Sequence, residues 1–355
     1  EEIFNKLKKE HYLKNFVNED FNKEYIEALI KRLDENKLYF LKPEIKEFYQ
    51  KANAYDGRSF DIDLSYSIIN LYFKRLILFS EFQISLIENG SFNLQLDDYI
   101  DIYYEDNEWP QADENLKKLW RDETKNDFLV AMMSDTLSED PKKGLIKRYK
   151  NRIRRIQQQN EEDVFSIAVN SLANQFDPHS SYLSPRSAED FDMNMSLKLE
   201  GIGALLGAED DYTKIVSLVA GGPAEKSGAI LPEDRITRIR QVGSENNEYV
   251  DVVGWRIDEV VDLIRGESGT QVEIEFISSD SAENTRKLVT LVREEIKLED
   301  RAAKSKIYEG GDGNKIGIID LPSFYIDFNA YQNIDSDYRS SSKDVKEILT
   351  DFSDE

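Results

Sequence analysis

Through residue 195 the apolar positions recur every three or four residues. In Tyr25-Ile26-Glu27-Ala28-Leu29-Ile30-Lys31-Arg32-Leu33, the residues Ile26, Leu29, Ile30 and Leu33 fall on one stripe, which is the helical period. Ile68, Ile69, Leu71, Tyr72, Leu76 and Ile77 continue the pattern, as do Phe82, Ile84 and Leu86. Gly and Pro are sparse here, so the expected interruptions are acidic loops such as Asp97 to Asp106. A helical domain over residues 1–195 is the expectation. Within it, Lys142 to Arg155 carries eight basic residues in fourteen, which could be read as a nucleic-acid patch. Ile146, Tyr149, Ile153 and Ile156 recur at helical spacing inside that run, so the charges are expected to be the solvated face of one helix.

Near residue 195 the period changes. Short β-type runs follow at Ile202 to Leu206, Lys214 to Val219, Arg235 to Ile239, Val272 to Ile277 and Lys287 to Val292. A turn of helix at Pro223 to Ser227 and a longer helix from Asp258 to Arg265, ended by Gly266, interrupt them. This describes a small module over 196–296. In the last part, 297–355, Ile316-Gly317-Ile318-Ile319-Asp320-Leu321 is a nearly continuous apolar run, as expected of a strand buried on both faces. A final helix is expected with Ser341 or Ser342 as its cap and Val345, Ile348 and Leu349 as its stripe. One strand and one helix do not make a stable layer, so this part is expected to be the opening of a domain cut short.

Composition narrows the chemistry. At 355 residues the chain is expected to hold two or three domains. A net charge of −24 argues against nucleic acid or an anionic membrane as partner. The absence of Cys excludes disulfides, thiolate metal sites and Cys nucleophiles. Two histidines, His11 and His179, leave little for a metal site, and a Ser-His-Asp triad would have to recruit one of them. No metal or cofactor is expected. No apolar run reaches the length of a membrane span. The chain begins at Glu1 with neither an initiator Met nor a signal segment, and an upstream segment is expected to have been removed.

Three motifs merit weighing. Gly201-Ile202-Gly203-Ala204-Leu205-Leu206-Gly207 has spacing one residue too long for a dinucleotide fingerprint, and it runs into a strand rather than a helix. A Gly-rich loop leading into a strand can instead converge its N–H groups on a carboxylate, while the strand edge accepts a peptide. Ile257, Val260, Val261 and Ile264 would then offer an apolar pocket for the terminal side chain. The competing interpretation is a tight turn beside a core-facing helix. Gly266-Glu267-Ser268-Gly269 lacks a preceding strand and a base, so it is expected to be a helix-to-strand turn. His179, in Asp177-Pro178-His179-Ser180-Ser181-Tyr182, is expected to be a structural residue bonded within its loop.

The segments Glu161 to Ser166, Asp177 to Pro185 and Leu199-Glu200-Gly201-Ile202-Gly203-Ala204 resemble the tail-specific proteases, the larger bacterial carboxy-terminal processing peptidases. Val219 to Gly228, Val253-Gly254-Trp255 and Leu263-Ile264-Arg265-Gly266 are similar to that family's PDZ signature. Leu298-Glu299-Asp300-Arg301-Ala302 and Lys315 to Tyr325 are similar to the entry into its protease core; Pro232-Glu233-Asp234 departs from the pattern, at a turn where Gly commonly precedes the Asp. The resemblance implies a multidomain α+β chain. Its parts would be the helical domain, a PDZ domain (a small, partly open β-barrel or sandwich with two helices) at 196–296, and the start of an α/β protease core. It implies a periplasmic serine endopeptidase with a Ser/Lys dyad, which reads apolar C-terminal tails of protein substrates. The dyad is expected beyond this chain, so Ser340, Ser341, Ser342 and Lys343 inherit neither role, and the chain alone is expected to be inactive. What carries over is Gly201, Ile202, Gly203 and Ala204 for the carboxylate and the 258–265 helix for the pocket. A non-catalytic PDZ adaptor is the alternative.

Overall fold

A computed structural model describes residues 1–355 except 14–16, 57, 91, 93–106, 134–139, 244–246, 281–284, 311–314, 334–337 and 355. The acidic segment 97–106 lies outside the described residues. The stripe read over residues 25–33 becomes the buried face of α2 (Phe21–Leu33), where Tyr25, Ile26, Leu29 and Ile30 lose all contact with water. In chain order the first unit comprises α1 (Glu2–Glu10), α2, α3 (Lys42–Ala54), α4 (Ile62–Glu88), α5 (Asp113–Met133), α6 (Pro141–Gln157) and α7 (Glu161–Phe176). Its largest core joins Tyr25, Leu29, Phe40, Ile68, Ile69, Ala168 and Leu172. Each such large apolar side chain, fully buried, contributes about 1.5–3 kcal/mol. Asn160 and Asp163 start α7 with a reciprocal capping box at 3.0 and 2.9 Å, and three acids in its first turn suit the helix dipole.

The basic segment is α6, but its inner stripe differs from the expected one. Leu145 and Tyr149 are the buried apolar residues, and Arg152 turns inward with them. Its guanidinium donates to Ser80 Oγ at 2.8 Å and to Gln83, and lies over the rings of Phe79 and Tyr149. Counting apolar residues overlooks an arginine that finds acceptors and ring faces inside.

The contacts divide the chain between Ser184 and Pro185, rather than near residue 195. The difference is α8 (Pro185–Ser196), which belongs to the second unit through ion pairs. Arg186 reaches Asp258 at 3.1 Å and Asp262 at 2.8 Å, and Asp190 reaches Arg265 at 2.5 Å. The strands are β1 (Lys198–Gly201), β2 (Ala204–Glu209), β3 (Tyr212–Leu218), β4 (Arg235–Val242), β5 (Val250–Asp251), β6 (Gln271–Ile277), β7 (Arg286–Val292) and β8 (Glu294–Lys297). The helices α9 (Pro223–Ser227) and α10 (Ile257–Ile264) lie between them in sequence. The main sheet is antiparallel with order β2-β3-β4-β6-β7, and β5 pairs on β4. Among the described residues it is an open sheet, not a closed barrel. Ile215, Ile236, Ile239, Val272, Ile274 and Phe276 form its core with Val260 and Ile264 of α10.

β1 and β8 pair as a separate two-stranded ribbon, with Lys198 opposite Lys297, Leu199 opposite Ile296, and Glu200 opposite Glu295. A single 3₁₀ turn (Glu299–Arg301) follows, then β9 (Lys304–Glu309) and β10 (Lys315–Asp320), which pair with each other. The expectation that the apolar run around β10 is buried on both faces fails: Ile316 and Ile318 are exposed. Among the described residues β10 has one strand neighbour, and Phe352 packs against Gly317 so tightly that a Cβ there would lie 2.5 Å from the ring. After α11 (Phe328–Gln332), α12 (Ser341–Asp354) begins one residue after its cap, because Ser340 Oγ accepts the Lys343 N–H at 3.3 Å. Ser341 and Ser342 were the expected caps; the preceding serine takes that place.

Candidate functional site

A cavity of about 530 Å³ opens where the β1–β2 loop meets the last turn of α10. Gly201, Ile202, Gly203 and Ala204 all line it. The loop folds this way because Gly203 has φ +72°, and a Cβ there would lie 3.0 Å from Ile296 and 3.1 Å from Gly222. The Gly203 carbonyl accepts the Val219 N–H and the Ile202 carbonyl accepts the Ala224 N–H, both at 2.8 Å. Outside the strand ladders, the Ile202 and Gly203 N–H groups donate to no backbone carbonyl among the described residues. The loop therefore has its acceptors tied back and keeps donors at the cavity. The Ile202 side chain itself belongs to the core.

The helix contributes less of its face than the sequence suggested. Val261 and Ile264 line the cavity, whereas Val260 is fully buried in the sheet core and Ile257, a turn earlier, lies outside. Core and groove share one apolar helix face, and periodicity does not divide it. Leu205, Leu206, Ser217 and Val219 extend the lining along β2, whose outer edge has no strand partner among the described residues.

Arg293 positions the helix end. It is 3% exposed, and its guanidinium donates to the carbonyls of Ile264 at 2.8 Å and Leu263 at 3.0 Å, to Thr270 at 2.9 Å and to Gln241 at 2.6 Å. Burial lowers its pKa, yet the acceptors it holds are those a helix terminus leaves over.

Sequence reasoning missed the charged part of the lining. Lys198, Arg265 and Arg301 reach the cavity along with Glu200, as do Met193 and Asn194 of α8 and Leu298 after the ribbon. Lys198 pairs with Asp327 at 2.9 Å and Arg265 with Asp190 at 2.5 Å, while Arg301 donates to the Asn194 carbonyl oxygen at 2.9 Å. Burial pushes Asp327 up, but the Ala330 N–H and the Lys198 ammonium outweigh it and hold the carboxyl below its ordinary range. Counted with Glu200 and the two paired acids, the three cations of the lining are balanced rather than in excess. Leu197-Lys198-Leu199-Glu200 and Ile296-Lys297-Leu298-Glu299 share one alternating pattern, from which a ribbon is expected, and β1 does pair with β8; what the pattern does not disclose is which of its charges meet the cavity.

The other motifs acquire no chemistry. His11 Nδ1 accepts the Leu13 N–H at 3.2 Å, which leaves the ring proton on Nε2, 3.4 Å from Ser180 Oγ. An imidazole in that tautomer cannot take the serine proton. Asp177 accepts the backbone N–H of His179 at 2.6 Å and, from just beyond the end of α1, the Tyr12 hydroxyl at 2.8 Å, so His179 is tied to its loop through its backbone. Ser268 sits in the turn between α10 and β6. The Lys343 ammonium lies 3.8 Å from the centroid of the Tyr338 ring. Among the described residues no cluster of His, Asp or Glu could hold a metal ion, and no helix is long and apolar enough to cross a membrane.

Comparison with known proteins places these features. Residues 3–186 match the family model described as the tail-specific protease N-terminal domain. The chain is 36% identical over 324 residues to a tail-specific protease of Haemophilus influenzae, covering 90% of this chain and 46% of that protein. It is 34% identical over 148 residues to the carboxy-terminal processing protease CtpA of Bacillus subtilis, covering 42% of this chain and 28% of that one. The chain thus spans less than half the length of these curated relatives. Among solved structures, the PDZ domain of a carboxy-terminal protease from Vibrio cholerae, in complex with peptide, matches at 47% identity and a TM-score of 0.27, covering 29% of this chain and all of that one. The photosystem II D1 C-terminal processing protease matches at 18% identity and a TM-score of 0.26, over 55% of this chain and 52% of that one. On the match of its N-terminal half and on the order of its motifs, the chain belongs to the tail-specific protease family.

Proposed function

We propose that this chain is the substrate-recognition part of a periplasmic serine endopeptidase that selects proteins by apolar C-terminal tails. Residues 196–296 act as its PDZ domain. The observation that carries this reading is one cavity bounded by the spare N–H donors of Ile202 and Gly203, the edge of β2 that has no strand partner among the described residues, and the apolar side chains of Val261 and Ile264. A tail adds as a strand on β2, its carboxylate accepts from the loop, and its last side chain enters beside Val261 and Ile264. Charge-assisted bonds contribute roughly 1.5–3 kcal/mol each and the buried side chain about 1.5–3 kcal/mol. Ordering a flexible tail opposes both, which sets affinity near micromolar or weaker. No residue of this chain is assigned as the catalytic nucleophile or base.

Calorimetry with one peptide in three forms tests the reading: free apolar terminus, amidated terminus, and terminal Asp. Amidation is expected to weaken binding at least about tenfold, and terminal Asp to weaken it through the apolar pocket. Gly203→Ala, which strains the loop, is expected to abolish the preference for the free terminus. Equal affinity for the free and amidated forms in the unaltered chain would sink the carboxylate-loop assignment.

A further inference from the structure

We propose that Arg301 supplies the formal positive charge that meets the terminal carboxylate of a bound tail. The binding site is then shared between the Gly201–Ala204 loop and the 3₁₀ turn after the ribbon. This rests on the reading of the groove as a C-terminal tail site and adds a specificity-determining residue to it.

Three cations line the cavity, and two are committed. The Lys198 ammonium is 2.9 Å from Asp327, and the Arg265 guanidinium is 2.5 Å from Asp190. Arg301 has only a neutral partner, the Asn194 side-chain carbonyl, which takes one donor at 2.9 Å. The acids of its own turn are engaged elsewhere: Glu299 by Arg339 at 2.9 Å and Asp300 by Lys304 at 2.9 Å. Among the described residues no carboxylate lies within ion-pair distance of Arg301. A guanidinium carries five donors in a fixed fork, so most of its capacity for a carboxylate is open.

Its place in the cavity fits the terminus rather than the body of a peptide. A peptide antiparallel to β2 ends where β2 begins, at Ala204, and Leu298 and Arg301 line the same cavity as the Gly201–Ala204 loop and the start of β2. The loop amides carry no formal charge. A carboxylate leaving water gains more from amides plus a guanidinium than from amides alone. Arg301 lies outside the main sheet, so binding would draw on a residue beyond the β1–β8 ribbon and compete with its bond to Asn194 of α8.

Calorimetry on the full 355-residue chain, with free and amidated forms of one peptide ending in an apolar residue, tests this. Arg301→Gln is expected to weaken the free peptide about threefold to tenfold and leave the amidated one unchanged. Arg301→Lys, which keeps the charge, is expected to retain most of the affinity. If Arg301→Gln binds the free peptide as tightly as the unaltered chain does, while that chain still prefers the free form, Arg301 has no such role and the groove reading stands. Equal weakening of both peptides assigns Arg301 a merely structural part and also overturns the proposal. If the unaltered chain does not distinguish the two forms, the groove reading itself fails first.

Discussion

In the helical unit, Asp34 follows the last turn of α2 and gathers the N–H groups of Leu38, Tyr39 and Phe40 at 2.6, 3.2 and 2.9 Å, with the Trp109 ring N–H at 3.1 Å. In the sheet unit, Arg293 follows β7 and donates to the carbonyls of Leu263 and Ile264 at the end of α10. Both side chains are almost wholly buried, at 1% and 3% exposure. One anion collects donors and one cation collects acceptors. The anion organises a loop within six residues of itself, with one distant ring. The cation ties together segments some thirty residues apart, Arg293 and Leu263 being separated by 30. A buried charge is tolerable in either case because backbone dipoles, rather than an opposite charge, surround it.

Removing the cation has the larger expected effect. Arg293→Met leaves two helix-end carbonyls and Gln241 without their donor, and is expected to cost about 3–5 kcal/mol, read as a fall in the urea midpoint. A loss under about 1 kcal/mol would mean that water replaces the guanidinium at that site. Asp34→Asn comes next. The amide offers one acceptor oxygen where two served, and turns an NH₂ toward donors, so about 2–3 kcal/mol is expected. An unchanged midpoint would show that the loop does not depend on Asp34.

The smallest effect separates the two residues by pH. Burial pushes the Asp34 carboxyl up to about 6, against the pull of its N–H donors. The folded state then holds a proton that the unfolded chain has released, between the ordinary value of 3.8 and about 6. In that window the group's contribution to stability is present at the acid end and is lost as pH rises through about 6. Arg293 keeps its charge throughout. Urea midpoints at several pH values across the window are expected to slope in the unaltered chain and to flatten in Asp34→Asn. An identical slope in both would remove Asp34 as its source.

The same contrast explains what the sequence disclosed. Local features were legible: the stripe of α2, the Pro223–Ser227 turn of helix, α10, and the Gly201–Ala204 loop are each written in a few neighbouring residues. Long-range features were not. Arg301 and Asn194 come to the groove, and Arg293 to the end of α10, from distant parts of the chain, which composition does not report. Val260 and Ile257 show a second limit, since a shared helix face does not say which part of it meets the core. β10 shows a third. A short apolar run carries no period, so its chemistry alone did not indicate how many faces would be covered.

The ribbon of β1 and β8 also bears on how such a chain is assembled over evolutionary time. Gly201 enters the sheet module opposite Glu294, where the chain leaves it, so entry and exit lie one strand spacing apart. A two-residue reversal is enough to join strands so placed. The module is therefore topologically a cassette: the flanking strands can be closed behind it without rethreading anything else. A lineage can lose, regain or exchange such a reader while the strand ends that hosted it keep the same neighbours.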